Sequence, residues 1–219
     1  MTRRLLSCCA LSVALLGATG QQQPASAATA VVLPVQPCTV TNAGSDAVPT
    51  TAVTLRVGVP AAFAGQVGAY GGGGLVAPGP KGWACAVLLA GDGSRELALR
   101  PARNAVKSKG GIVLTVVPRC VGCVASLVCP FFDARAILVL PCPAAAPAGE
   151  RRVRLRQNLI GYYDPPRLKG YGRFSGLGNA SYGRVLFEPD PPFAMAAECT
   201  LPARLTALCP AIVATLLEG

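Results

Sequence analysis

The chain has 219 residues, of which 52% are hydrophobic, 14% charged and 5% aromatic, with twenty Lys and Arg against ten Asp and Glu, ten cysteines and no histidine. Without His there is no Ser-His-Asp or Cys-His nucleophile, no His-ligated catalytic zinc and no imidazole acid-base chemistry. The apolar content argues against disorder, the length suits one sizeable domain, and the formal charge of +10 points to an acidic partner.

The N-terminus carries Arg3 and Arg4, an apolar run from Leu5 to Ala18, and the small-residue stretch Ala25-Ser26-Ala27-Ala28. This is the pattern of a signal peptide cleaved near Ala27. Fourteen apolar residues are too few to cross ~30 Å of hydrocarbon. Residues 1–27 are therefore read as a leader and 28–219 as a single mature β-rich domain, secreted or associated with the cell surface, with no transmembrane span of its own. Cys8 and Cys9 leave with the leader. Eight cysteines remain: Cys38, Cys85, Cys120, Cys123, Cys129, Cys142, Cys199 and Cys209. An even number in an exported chain predicts disulfides, with the pairing open.

Short apolar runs between turn residues predict strands at Val31–Val35, Val53–Val59, Ala84–Leu89, Leu97–Leu99, Ile112–Val117, Ile137–Leu140 and Val185–Phe187. Gly65–Gly82, with four consecutive glycines and Pro78-Gly79-Pro80, reads as a long Gly-rich loop. It is not a phosphate cradle, since no helix signal follows it. Trp83–Ala90 and Arg95–Arg100 predict a hairpin turning on Gly91-Asp92-Gly93-Ser94. Asp92 is a turn residue there, with too few acidic neighbours for calcium. Helices are expected over Cys123–Ala136 and Pro202–Leu217, the second with Leu205, Leu208, Ile212 and Leu216 on one face.

The cluster Cys120-x2-Cys123-x5-Cys129-x12-Cys142 has one short knuckle, where a four-cysteine zinc site normally has two. A redox C-x-x-C would open a helix in a βαβ pattern, and no such alternation surrounds this one. Structural cystines are expected, with no metal and no cofactor. The fold class expected is mainly β: a single disulfide-braced, β-sandwich-like domain with a short C-terminal helix.

The combination Gly82-Trp83-Ala84-Cys85, Gly91-Asp92-Gly93-Ser94, Cys129-Pro130, Ser175-Gly176, Cys199-Thr200-Leu201-Pro202 and Cys209 resembles a group of small secreted, disulfide-containing actinobacterial proteins of unknown function. The resemblance covers Trp83 to Cys209. It implies an extracellular protein from a high-GC actinobacterium and assigns no residue a role.

Between Arg151 and Phe187 lie eight basic residues and the single acid Asp164, interleaved with aromatics. As an extended strand, Arg152, Arg154 and Arg156 would form a basic ladder on one face, with Val153 and Leu155 buried on the other. Together with Tyr162, Tyr163, Arg167, Lys169, Tyr171 and Arg173 they are the candidate binding residues. Forked guanidiniums and stacking rings suit an anionic cell-wall polymer, an anionic lipid or an acidic protein. Nucleic acid is not expected. A solvated arginine face is the plainer alternative. Arg100, Arg103, Lys107, Lys109 and Arg119 form a second acid-free stretch.

Catalysis would have to use carboxylates. Glu188 and Asp190, about 7 Å apart on one side of a strand, or Asp164, could serve a glycan hydrolase. Pro189, Pro191 and Pro192 make the pair look like a strand-ending turn. Ser175 and Ser181 are turn residues. No catalytic residue is assigned, and a non-catalytic exported binder is the leading expectation.

Overall fold

The computed structural model describes residues 28–43, 53–102, 109–132 and 146–218. Alternation of apolar and polar side chains governs strands such as Ser181–Pro189, where every second residue from Ser181 to Phe187 is buried. The strands are β1 (Ala28–Pro37), β2 (Thr39–Ala43), β3 (Thr54–Pro60), β4 (Val67–Gly72), β5 (Leu75–Pro80), β6 (Trp83–Ala90), β7 (Arg95–Pro101), β8 (Gly111–Pro118), β9 (Arg151–Arg156), β10 (Leu159–Asp164), β11 (Ser181–Pro189) and β12 (Pro192–Thr200). The helices are α1 (Val121–Val128) and α2 (Cys209–Glu218), with 3-10 turns at Ala61–Gln66 and Ala203–Leu208.

Four strands form a small sheet in the order β3-β1-β4-β5, and eight form a large one in the order β2-β6-β7-β8-β12-β11-β10-β9. The chain passes from one sheet to the other at Cys38, between β1 and β2, and the Cys38–Cys85 cystine fastens that crossing to β6. The small sheet covers the large one over β6, β7 and β8, with Val59, Val67 and Ala77 packed against Val87, Leu97, Leu99 and Ile112. Helix α2 continues this layer over β11 and β12, and the Cys199–Cys209 cystine anchors its first residue. On the opposite face α1 lies across β12, β11 and β8, burying Val124 and Val128 against Val117, Val185, Phe187 and Ala194. The fold is thus mainly β, disulfide-braced and sandwich-like, with a short C-terminal helix. No helix among the described residues is long and apolar enough to cross a membrane.

The segment expected as a Gly-rich loop is instead a buried hairpin. β4 and β5 pair in register from Val67↔Pro80 to Gly72↔Leu75. They turn on Gly73 and Gly74, whose φ of 56° and 76° suit a tight two-residue connection. The small residues admit close packing, since a Cβ on Gly79 would come within 2.5 Å of Leu99 Cδ1. Tyr70 ties the hairpin by donating to the Pro80 carbonyl at 2.7 Å and accepting from the Trp83 amide at 3.3 Å.

The Trp83–Arg100 hairpin forms as expected, and Asp92 Oδ1 accepts the Ser94 amide at 2.8 Å in its turn. Helix α1 begins earlier than expected because Cys120 caps it, and it stops ahead of Pro130. The C-terminal segment splits into a 3-10 turn and α2, with Leu205, Leu208, Ile212 and Leu216 all buried. The expected strand Ile137–Leu140, the end of the first expected helix, and Cys142 lie outside the described residues.

Candidate functional site

Strand β9 is the outer edge of the large sheet, and Arg152 is its only residue that is not exposed. This reverses the expected orientation: Val153 and Leu155, expected inside, are 55% and 41% exposed. The cause lies in the register. Arg152 pairs with Tyr162, whose ring is buried under Phe131 at 5.2 Å, so the Arg152 side chain enters the layer beneath α1. There it bonds the Pro130 carbonyl, pairs with Glu150, and lies 4.6 Å from the Phe131 ring centre and 5.5 Å from that of Tyr171. A bulge then sets Arg154 opposite Ile160 and Arg156 opposite Leu159. Those partners face opposite sides of β10, so the three arginines do not share one face. Arg154 bonds the Gln157 carbonyl of its own turn at 2.9 Å.

What draws Arg152 inward is a set of buried carboxyls scattered in the sequence and brought together by the fold. Glu150 has a wholly buried side chain, and Asp164 and Glu198 are 1% and 6% exposed. Glu198, on β12, accepts the backbone amides of Arg173 at 2.6 Å and Phe174 at 3.0 Å and so holds the β10–β11 connection down on the sheet. Burial raises its carboxyl, and those two amides, Thr200 and Arg173 pull it back. The connection can approach this closely only through glycine: a Cβ on Gly170 would collide with the Asp164 carboxyl, and one on Gly172 with that of Glu198.

Both Asp164 oxygens and Glu150 Oε2 are buried without a donor when the acids are charged. A proton on Asp164 supplies one, because the neutral acid donates to its neighbour. Burial, then that hydrogen bond with Glu150 and the charges of Glu150 and Glu198, raise Asp164 to about 7, with Arg152 opposing. Tyr162 is pushed well above the usual phenol range by burial and by Glu198, Asp164 and Glu150. A cavity of about 310 Å³ adjoins this layer, lined in part by Glu96, Thr115, Tyr162, Arg173 and Glu198. Arg173 closes its rim through a forked pair with Glu96. Asp164 does not line it, so its raised carboxyl has no approach for a substrate from this cavity.

The other face of the same edge is open. Beyond α2 the sheet carries a groove of about 260 Å³, with Gly161 in its floor, Val153 and Leu155 along β9, and Tyr163, Tyr182, Arg151 and Arg184 around them. The Tyr163 and Tyr182 rings meet at 4.9 Å, tilted by 58°, and Arg151 sits 5.6 Å from the centre of the Tyr163 ring. Tyr163 and Arg151 face this side because they pair with each other across β9 and β10. Burial and the neighbouring Tyr163 raise the Tyr182 hydroxyl.

The expected binding residues are therefore divided. Tyr163 lines the groove, and Arg152 and Tyr162 reach its lining from within the sheet edge, Tyr162 bordering the opposite cavity as well. Tyr171 and Arg173 belong to the opposite face, and Arg167 and Lys169 are exposed on the connection between β10 and β11. Of the second basic stretch, Arg100 lies 5.4 Å from the Phe174 ring centre on that same opposite face. Arg103 and Lys107 are outside the described residues. Glu188 and Asp190 occupy the exposed end of the β11–β12 hairpin, Glu188 accepting from Asn158 Nδ2 at 3.0 Å, and line neither cavity. Cys120 and Cys123 are joined to each other and Cys129 is also disulfide-bonded.

Glu150 and Glu198 are not marked by any sequence motif, while Arg151, Tyr182 and Arg184 lie within the basic-aromatic segment Arg151–Phe187 without being among the candidate binding residues. One signal was present for Glu198, a lone carboxylate within the apolar strand sequence Pro192–Thr200. Searches against family models, curated proteins and solved structures find no match to this chain.

Proposed function

We propose that this is an exported binding protein that takes a strand of an anionic cell-wall polymer, without chemistry at the groove, into the open groove beside β9. The observation that carries the reading is the gathering of rings and cations in one accessible place: Tyr163 and Tyr182 beside Arg151 and Arg184, with Arg151 over the Tyr163 ring and Gly161 in the floor. Ring units of the polymer pack on the tyrosines, Val153 and Leu155, while its acidic groups meet the guanidiniums in forked geometry. Export follows from the expected leader and suits the cystines.

The test is retention of the mature protein on purified actinobacterial cell wall as salt is raised. Retention should fade between low and moderate salt, because exposed charge pairs are screened over about 10 Å at 0.1 M. Retention indifferent to salt, or equal retention on a neutral polysaccharide, would sink the reading.

A further inference from the structure

The cystine at the start of α1 differs from the other two whose partners are described. Cys38–Cys85 and Cys199–Cys209 join separate elements across 47 and 10 residues, and both sulfurs of the latter are wholly buried. Cys120–Cys123 spans three residues, so it restrains the unfolded chain least. Both of its cysteines are half-exposed, next to exposed Val121 and Gly122. Its sulfurs have unlike surroundings. Cys120 is the N-cap of α1, and its Sγ accepts the Cys123 amide at 3.3 Å, in a helix whose first turn has no acid. Cys123 Sγ instead meets a carboxylate from a different element, Asp92 Oδ2 at 3.3 Å, held in place because Oδ1 is bonded to the Ser94 amide.

We infer that Cys120–Cys123 is a thiol-disulfide exchange site acting on protein dithiols and disulfides, a second activity independent of the groove. The helix N-terminus and the Cys123 amide stabilise a thiolate on Cys120, and Asp92 disfavours one on Cys123 while accepting its S–H hydrogen bond. Cys120 is accordingly the nucleophile and Cys123 the resolving thiol. In the oxidising direction a substrate thiolate attacks Cys120 Sγ. The Cys120–Cys123 bond breaks, its electron pair goes to Cys123, and Cys123 takes up a proton. The second substrate thiolate then attacks the substrate sulfur of the mixed disulfide and expels the Cys120 thiolate. The balance is one substrate dithiol oxidised to a disulfide and one protein disulfide reduced to a dithiol. The βαβ setting expected of such a motif is not required, because the capped helix and the hairpin carboxylate supply the asymmetry.

The mature protein is treated with limiting dithiothreitol, quenched in acid, alkylated and mapped by peptide mass. Cys120 and Cys123 should carry label at least about tenfold sooner than Cys199 and Cys209. With that pair reduced, iodoacetamide at pH 6 should label Cys120 about tenfold faster than Cys123, and Asp92→Asn should narrow that ratio. Catalytic amounts should accelerate the reduction of insulin by dithiothreitol, and Cys120→Ser should remove the acceleration. Opening no faster than Cys199–Cys209, equal labelling of the two thiols, or undiminished insulin reduction by Cys120→Ser would each overturn the proposal. The first two measurements use the native sequence, so they stand even where the variant fails to fold.

Discussion

The two faces of the β9 edge carry arginines one residue apart in different circumstances. Arg152 points into a layer containing Glu150, Asp164 and Glu198, and its charge is held there. Arg151 points the other way, onto a tyrosine at the border of an open groove. The difference shows that a count of basic residues does not locate a binding face, because buried carboxyls claim their cations first. A buried charge needs a partner far more than an exposed one does.

That contrast can be broken most sharply at Arg152. Arg152→Met leaves Glu150 and Asp164 buried without their cation and should destabilise the fold by about 3–5 kcal/mol, read as a lower urea midpoint. The glycine cover is the next most sensitive feature. Gly172→Ala forces the β10–β11 connection off Glu198 and should cost about 1–3 kcal/mol in the same assay.

The protonation of Asp164 makes a third, pH-dependent prediction. A carboxyl raised from 3.8 to about 7 binds its proton more tightly in the folded than in the unfolded chain. Its contribution to stability is fully present below the unfolded value and is lost as pH rises through the folded one. The urea midpoint of the native protein should therefore decline between about pH 4 and pH 7 relative to Asp164→Asn. Parallel profiles for the two proteins would contradict a shared proton in the Glu150–Asp164 pair. On the open face the expected stability effects are smallest: Val153→Thr and Leu155→Ser should each change stability by no more than about 0.5 kcal/mol.

Much of the architecture was legible because alternation is strong where one face of a strand is buried. The Trp83–Arg100 hairpin and β11 follow from it, while β8 follows from an unbroken apolar run and the C-terminal leucine face from helical spacing. The β4–β5 hairpin was not legible. Its burial depends on small residues fitting under Leu99 and Leu89, and in isolation those residues have the composition of a loop. Strand β12 was hidden for a related reason: its Ala-rich sequence has little β preference and is held by pairing to β8 and β11 on both sides. At the candidate site the basic and aromatic residues were visible in sequence, but the period of two leaves open which set faces in. The deciding residues, Glu150 and Glu198, lie outside the segment that drew attention and reach Arg152 and the covering connection only through the fold.

Under the proposed function, position rather than total charge selects the cations that meet the polymer. Two double variants test it directly by cell-wall retention, because each removes the same two positive charges: Arg151→Gln with Arg184→Gln at the groove, and Arg154→Gln with Arg156→Gln on the supposed ladder. The groove pair should weaken retention by about tenfold, roughly 1.4 kcal/mol, and the ladder pair by less than about twofold. Equal losses from both pairs, or a larger loss from the ladder pair, would contradict binding at the groove.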